Sequence, residues 1–175
     1  VSSSEIWAQL KGLLKSYNLK TFYSNLKTMN EFPVVDKIIV EFIKKHHVLS
    51  LATTDGDQPW CAQCFYAFLK DEMKLIFTSD PSTKHILDAK NNPKVAVSIV
   101  LETSIVGKIQ GAQIVATFKD PDEIELNGIK TAYLKRFPFA VLTNSKLWVL
   151  KIKSVKMTDN RLGFGKKLQW NREEK

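Results

Sequence analysis

The chain has 175 residues, of which 44% are hydrophobic, and it contains only 7 glycines and 6 prolines. This composition supplies a packed core and excludes a disordered linker or a fibrous protein. The formal net charge is +8, and residues 151–175 carry eight basic against three acidic side chains. Such a basic tail favours an anionic partner: a phosphorylated cofactor, a nucleic acid or a membrane surface.

The sequence shows neither a membrane span nor a secretory signal. No apolar run reaches the length of about 20 residues that a membrane-spanning helix needs. The N-terminal segment has an interrupted amphipathic pattern and lacks the apolar core of a signal peptide. We therefore expect a cytoplasmic protein.

Residues 1–31 have the pattern of one or two helices. Apolar residues recur on one helical face, at Ile6, Leu10, Leu13, Leu14 and Tyr17. We expect a helical extension that packs on the domain or on a partner subunit. A membrane-surface helix and a segment dispensable for the working protein are the alternatives. Residues 32–175 then form the functional domain.

Beyond Pro33 the chain alternates between helix and strand patterns. Helical patterns cover residues 34–47 and 121–137, and Leu126, Ile129 and Tyr133 share one face of the second helix. Short apolar or alternating runs, separated by turn residues, cover 48–54, 60–69, 74–78, 94–101, 109–118, 147–153 and 155–158. The last two runs form one strand or a pair, and Gly111 is expected to mark a bend or bulge. About six short strands with inserted helices predict a mainly β protein built on a six-stranded antiparallel barrel.

The two cysteines, Cys61 and Cys64, have the C-x-x-C spacing of redox and zinc sites. They fall in a run that reads as a strand, where residues three apart point to opposite faces. A redox pair needs a helix N-terminus and a zinc site needs further ligands, and neither accompanies them. We expect packing residues and no metal site.

A turn rich in hydroxyl groups follows the strand at residues 74–78 and opens a short helix. Ser82 is placed to cap that helix, and Lys84 falls in its first turn. Backbone N–H groups at a helix N-terminus, with a lysine beside them, suit a phosphate group. An ordinary helix cap is the alternative interpretation of the same residues.

Three segments together resemble the pyridoxamine-5′-phosphate-oxidase-like family, the FMN-binding split barrels. The first is 49–59, a strand–turn–strand that ends in Asp-Gln-Pro. The second is 77–95, with Phe-Thr, Ser-Thr-Lys and Asn-Asn-Pro-Lys-Val in order. The third is 158–170, Thr-Asp-Asn-Arg-Leu-Gly-Phe-Gly-Lys-Lys-Leu-Gln-Trp, which is similar to the tail of one bacterial subgroup. The resemblance covers roughly residues 34–170 and implies an FMN-binding homodimer with its sites at the subunit interface.

The resemblance also implies which residues contact FMN. Contacts to the isoalloxazine ring and ribityl chain would come from the second and third strands, through Ala62, Gln63, Cys64, Phe65, Phe77 and Thr78. The phosphate would be held by Ser82, Thr83 and Lys84. Further contacts, from the same or from the other subunit, would come from Gln113, Lys166, Lys167 and Trp170.

Two features depart from the family pattern. Pyridoxamine-phosphate oxidases place Arg-Lys where this chain has Thr83-Lys84. Their C-terminal arginine and histidine motif for the substrate has no counterpart in residues 162–165. We therefore do not expect vitamin B6 to be the substrate. His85 is expected as a helix residue or phosphate contact, with a catalytic acid as the alternative.

The sequence thus predicts an FMN-dependent oxidoreductase in which the flavin carries the redox chemistry of a small-molecule substrate. A non-catalytic flavin-binding or sensing module of the same fold is the first alternative. The second is a small basic barrel that binds nucleic acid through its tail and through exposed Trp148 or Trp170. We expect neither a nucleic acid nor a membrane as the partner.

Overall fold

The computed structural model describes residues 32–142 and 145–173. Residues 34–175 form one compact unit, and the predicted N-terminal helical extension lies outside the described residues. The described chain contains three α-helices: α1 (Lys37–Lys45), α2 (Lys84–Asn91) and α3 (Glu123–Arg136). It contains seven strands: β1 (Val48–Thr54), β2 (Pro59–Leu69), β3 (Lys74–Ser79), β4 (Lys94–Val100), β5 (Gln110–Lys119), β6 (Lys146–Asp159) and β7 (Lys167–Asn171).

The strands form one antiparallel sheet in the order β3-β2-β1-β4-β5-β6-β7. A further pairing between β3 and β6 closes the first six strands into a barrel, which confirms the predicted six-stranded architecture. β6 is a single strand of 14 residues. Its first half pairs with β3, and its second half pairs with β7. β7 lies outside the barrel and was not predicted as a strand.

The barrel interior is apolar because each strand alternates between inward and outward residues. In β4 the buried residues are Val95, Val97 and Ile99, with exposed residues between them. The largest interior side chains are Trp148, Tyr66 and Phe77, each 0% exposed. Burying a side chain of this size contributes roughly 1.5–3 kcal/mol, so the interior supplies much of the fold's stability.

The first two helices lie at opposite ends of the barrel. α1 buries Ile39, Phe42 and Ile43, and the Ile43 carbonyl accepts a hydrogen bond of 2.6 Å from the Tyr66 hydroxyl. α2 lies where β5 ends, and the Pro93 carbonyl just after it accepts from the Phe118 N–H at 2.8 Å. Among the described residues, no helix has the length and apolarity needed to cross a membrane.

The third helix covers part of the outer surface of the barrel. Ile129 and Tyr133 of α3 pack on the outward residues Ala67, Ile76, Leu147 and Val149 of β2, β3 and β6. This is the helix face predicted from the spacing of Leu126, Ile129 and Tyr133. The outward residues of β1, β4, β5 and β7 have no such cover within the described chain.

The structure has no bulge at Gly111, where one was expected. Gly111 pairs in register with Val100 and Thr158, and the irregularity lies between Val115 and Ala116. There β6 has one extra residue, Lys153, whose carbonyl accepts a hydrogen bond from the Arg172 N–H at 2.8 Å. The prediction was wrong because a bulge needs an extra residue on one strand, and a glycine alone does not supply it.

A buried carboxylate anchors the connection from β6 to β7. The side chain of Asp159 is 0% exposed and accepts two hydrogen bonds from the Arg161 guanidinium, at 3.0 and 2.7 Å, and one from the Gln110 amide at 3.0 Å. The Arg161 hydrogen bond is the main reason that the pKa of Asp159 lies below its usual value.

We expect Asp159→Asn to lower the free energy of unfolding by about 1.5 kcal/mol at neutral pH, the lower end for a charged hydrogen bond because Arg161 is partly solvated. The folded-state pKa of Asp159 is depressed, so its contribution is complete above the unfolded pKa of about 3.9 and is lost as pH falls through the folded pKa. Urea unfolding of the variant and of wild type at several pH values measures this. Exposed Asp57→Asn is the control. A difference between Asp159→Asn and wild type that persists at very low pH would contradict the assignment.

Candidate functional site

The turn between β3 and α2 is organised by Asp80. Its carboxylate accepts from the Ser82 N–H at 2.8 Å and from the Ser82 hydroxyl at 2.5 Å. Its carbonyl accepts from the Thr83 hydroxyl at 2.9 Å. The cap residue of α2 is Thr83, and no side chain caps the helix. The expectation that Ser82 caps α2 was therefore wrong, because Asp80 takes the Ser82 hydroxyl.

The N-terminus of α2 presents hydrogen-bond donors at this turn. The Thr83 carbonyl accepts from the N–H groups of Ile86 and Leu87, each at 3.0 Å. Within the described part of the chain, the N–H groups of Lys84 and His85 are left for an outside acceptor. These two N–H donors match the chemistry of an anion site, whereas the Ser82 and Thr83 hydroxyls already donate to Asp80.

His85 joins the hydroxyl cluster from the first turn of α2. Its Nε2 atom lies 2.8 Å from Ser79 Oγ and 3.3 Å from Thr83 Oγ1. Burial lowers the pKa of His85, and the nearby Asp88 acts in the opposite direction. The imidazole is therefore neutral at pH 7, and it contributes a polar contact to the site but no positive charge.

Lys84, the lysine predicted to hold a phosphate, contacts two carboxylates. Its Nζ atom lies 3.0 Å from Asp88 Oδ1 and 3.3 Å from Asp55 Oδ2. Asp88 is buried and also accepts from the Thr53 hydroxyl at 3.3 Å. The hydrogen bond to Asp88 is the main cause of the raised pKa of Lys84. Lys84 is thus a permanent cation whose charge is already shared before any ligand arrives.

The first half of β2 has an open edge beside this turn. Residues 59–65 of β2 pair with β1, whereas pairing with β3 begins only at Tyr66. The Tyr66 N–H donates to the His47 carbonyl on the β1 side. Backbone groups alternate sides along an antiparallel strand, so those of Cys61, Gln63 and Phe65 point to the open edge. Their side chains are exposed on the outer surface.

Tyr133 of α3 connects the open edge to the end of β3. Its hydroxyl lies 3.0 Å from Thr78 Oγ1 and 3.5 Å from the Phe65 carbonyl. Phe137 packs against both the Tyr133 and Phe65 rings, with centroids 5.1 and 5.6 Å apart. Burial is the main cause of the raised pKa of Tyr133, so the hydroxyl keeps its proton. An aromatic shelf made by Phe65, Tyr133 and Phe137 therefore borders the edge.

The sequence did not single out several members of this site. Tyr133 was predicted only as a core residue of a helix, since its spacing matches Ile129 on the same face. Asp55 carries no local signal, because it reaches Lys84 from a distant turn. The i, i+4 spacing of Lys84 and Asp88 in a helix was a local signal that could have found Asp88. Ser79 was noted only as one hydroxyl of the turn.

The predicted contact residues differ in which way their side chains face. Gln63, Phe65, Thr78, Ser82, Thr83 and Lys84 lie around the open edge and the turn. Cys64 and Phe77 are buried in the barrel, and Ala62 shares their inward face because it pairs with Leu51. Cys61 is exposed and Cys64 is buried. This confirms that the two cysteines lie on a strand and face opposite ways.

The remaining predicted contacts lie farther along the sheet. Gln113 is on β5, and strands β1 and β4 lie between it and Gln63 on β2. Three strand spacings correspond to a separation of about 14 Å. Lys167 lies on β7, two strands beyond β5, where it pairs with Thr158 of β6, and Lys166 precedes it. A single chain does not bring this group, which includes Trp170, to the open edge of β2.

Neither Trp148 nor Trp170 presents its ring at the surface for stacking on a base. Trp148 is 0% exposed, and its Nε1 donates to the Ser79 carbonyl at 3.0 Å. Trp170 is 4% exposed. The expectation that one of them is exposed for base stacking was wrong, because both belong to the packed interior or its margin.

The uncovered outer face of the sheet forms a depression of about 560 Å³. Small and apolar outward residues line it, including Ala52, Cys61, Ala96, Ser98, Val115 and Ser154. Gln113, Gln169 and Asn171 are also in the lining, and Lys156 is the one charged member among the residues that the structure describes. A face this poor in charge resembles the centre of a protein interface.

Comparisons with known proteins agree with this architecture. The sequence profile of the pyridoxamine 5′-phosphate oxidase family matches residues 35–158. A UPF0306 protein of Photorhabdus laumondii is 38% identical over 141 residues, covering 78% of this chain and 95% of its own length. The chain therefore belongs to the pyridoxamine 5′-phosphate oxidase family.

Two solved structures share the fold at low sequence identity. A heme binding protein from Mycobacterium smegmatis has a TM-score of 0.64 and 17% identity, and the match covers 79% of this chain and 60% of that one. An FAD-binding protein from Mesorhizobium loti has a TM-score of 0.59 and 16% identity, with 70% and 94% covered. At these identities the similarity shows the barrel fold alone.

We expect the Tyr133 hydroxyl and the Thr78 hydroxyl to be energetically coupled. Tyr133→Phe and Thr78→Val each remove one partner of the hydrogen bond, so the double variant should lose less stability than the sum of the two. The expected coupling is about 0.5–1.5 kcal/mol, the usual range for one hydrogen bond. Urea unfolding of the four proteins measures it. Additive effects would mean that the contact contributes nothing to stability.

Proposed function

We propose that this protein binds FMN along the open edge of β2 and serves as an oxidoreductase for a small molecule. The observation that carries the proposal is the junction of that edge with the donor-rich turn before α2. The isoalloxazine ring is flat and has polar atoms along its rim. A strand edge with alternating N–H and C=O groups, beside the aromatic shelf, is complementary to both properties.

The phosphate of FMN would lie at the turn. The first N–H groups of α2 supply neutral donors, and Lys84 supplies the charge. The Ser82 and Thr83 hydroxyls donate to Asp80, so they would reach the phosphate only by exchanging that acceptor. The turn offers a phosphate less positive charge than one lysine would supply alone, since Asp55 and Asp88 already share the Lys84 ammonium. A bound phosphate would therefore compete with Asp55, which is exposed, more readily than with buried Asp88.

We also propose a homodimer in which the second copy completes the site. Gln113, Lys166, Lys167 and Trp170 lie too far along the sheet to reach the open edge of their own chain. The low-charge depression on the outer face offers a surface on which two copies could pair. Lysines from the second copy would then add the cations that the turn lacks.

The flavin, when bound, would supply hydride or electron transfer, and the chain's own residues would bind it, orient it and limit its contact with water. Tyr133 and His85 are both neutral at pH 7 and hold backbone and hydroxyl groups in position. The non-catalytic flavin-binding module stays an alternative. The burial of both tryptophans weakens the nucleic-acid alternative, and the cytoplasmic location stays a prediction.

Titration of the purified protein with FMN, riboflavin and hemin, followed by visible absorption and calorimetry, tests the proposal. We expect FMN to bind more tightly than riboflavin. Hemin binding without flavin binding would contradict the proposal and would indicate a heme-binding protein, like the structural neighbour from Mycobacterium smegmatis. Reduction of bound FMN by NADH or NADPH, followed by transfer to an added acceptor, would separate an enzyme from a carrier.

We expect Lys84→Ala to weaken FMN binding roughly tenfold, the lower end for a charge-assisted hydrogen bond because the ammonium is already shared. Riboflavin binding should be unchanged. Asp55→Asn should have the opposite effect and strengthen FMN binding, since it removes a competitor for Lys84. Exposed Lys94→Ala is the charge-matched control. Equal effects of Lys84→Ala on FMN and riboflavin would show that the phosphate lies elsewhere.

A further inference from the structure

A second depression, of about 400 Å³, lies at the other end of β2, between α1 and α3. Its floor is apolar and includes Ala67 and Phe68. Four cationic side chains line it: Lys44, Lys70, Lys135 and Arg136. No acidic residue lines it among those that the structure describes. Its volume lies in the range of about 300–1,000 Å³ that is usual for small-molecule sites.

Arg136 is held in a fixed orientation in this basic pocket. One Nη atom donates to the His46 carbonyl. The guanidinium carbon lies 5.9 Å from the centre of the Tyr66 ring and 5.8 Å from that of Phe137. The Nε atom is buried, and within the described chain it has no hydrogen-bond partner. A guanidinium ordered in this way can bind an anionic acceptor through its other N–H groups with little further loss of conformational freedom.

Stabilisation of the helix dipoles explains only part of the positive charge in the basic pocket. Lys44 and Lys135 lie in the last turns of α1 and α3, where cations stabilise the helix dipole. Lys70 follows a strand, and its one ion pair, to Asp71 at 3.3 Å, is solvent-exposed. No ion pair involves Arg136 in the part of the chain that the structure describes. The basic pocket therefore holds charge that no carboxylate of the described chain neutralises.

We infer that the basic pocket binds a small organic carboxylate with an apolar body. A carboxylate presents two coplanar oxygens, which match the planar donors of a guanidinium better than a single point charge does. The apolar body would cover Ala67 and Phe68, and the lysines would surround the charged end. This inference is independent of the proposed flavin site, which lies beside the opposite half of β2.

Calorimetric titration with octanoate as the probe tests the inference. Wild type should bind octanoate and should bind acetate and 1-octanol at least tenfold more weakly, since each lacks one half of the recognised chemistry. Arg136→Gln should weaken octanoate binding at least tenfold, and Arg136→Lys should restore only part of it. Exposed Lys119→Gln, on β5, is the control for loss of one positive charge and should bind as wild type does.

A second variant distinguishes loss of octanoate binding from a folding defect in Arg136→Gln. Lys70→Glu combined with Lys135→Glu reverses two exposed charges and should abolish octanoate binding while thermal unfolding stays close to wild type. Failure of wild type to bind octanoate would overturn the inference, as would undiminished binding by both Arg136→Gln and the double variant. Displacement of octanoate by an equal concentration of inorganic phosphate would overturn the assignment to a carboxylate.

Discussion

The unequal pairing of the strands around the barrel is the constraint on which the rest depends. β6 is long enough to pair with β3 at one end and with β7 at the other, so the sheet closes and still carries an extra strand. β3 has only six residues and covers only the second half of β2. The first half of β2 is left with backbone groups that its neighbour cannot satisfy. The open edge begins before β3 ends, because Thr78 and Ser79 still pair with β6 but no longer with β2.

Electrostatic competition dominates the turn beside that edge. The first N–H groups of α2 are available there, but the Ser82 and Thr83 hydroxyls donate to Asp80. The local cation, Lys84, is shared between a buried and an exposed carboxylate. Asp88 needs Lys84 because a buried carboxylate without a partner is costly, so the pair belongs to the fold as well as to the site. A phosphate binding here would use helix N–H groups first and would gain a full cation only by displacing Asp55. The affinity of the site then depends on a hairpin residue far away in sequence.

Burial on the outer surface divides the barrel into two regions with different roles. α3 covers β2, β3 and β6 with an apolar face and places Tyr133 and Phe137 beside the open edge. The same helix, at its C-terminal end, holds Arg136 over the Tyr66 ring at the margin of the basic pocket. One inserted helix thus shapes two separate recesses, and the face that it leaves uncovered is the surface proposed for pairing with a second copy.

Periodicity in the sequence determined most of the elements, because the alternation of Val95, Val97 and Ile99 or the helical spacing of Ile129 and Tyr133 is a local property of the chain. Family resemblance, from the motifs around Thr54, Lys84 and Gly163, predicted the barrel and indicated the part of it that we propose as the site. Only the tertiary structure decided that Asp55 reaches Lys84 and that Tyr133 reaches Thr78. It also decided that Trp148 and Trp170 are buried. The two polar contacts join residues 29 and 55 positions apart, and no local pattern encodes which partner a polar side chain finds at such a separation.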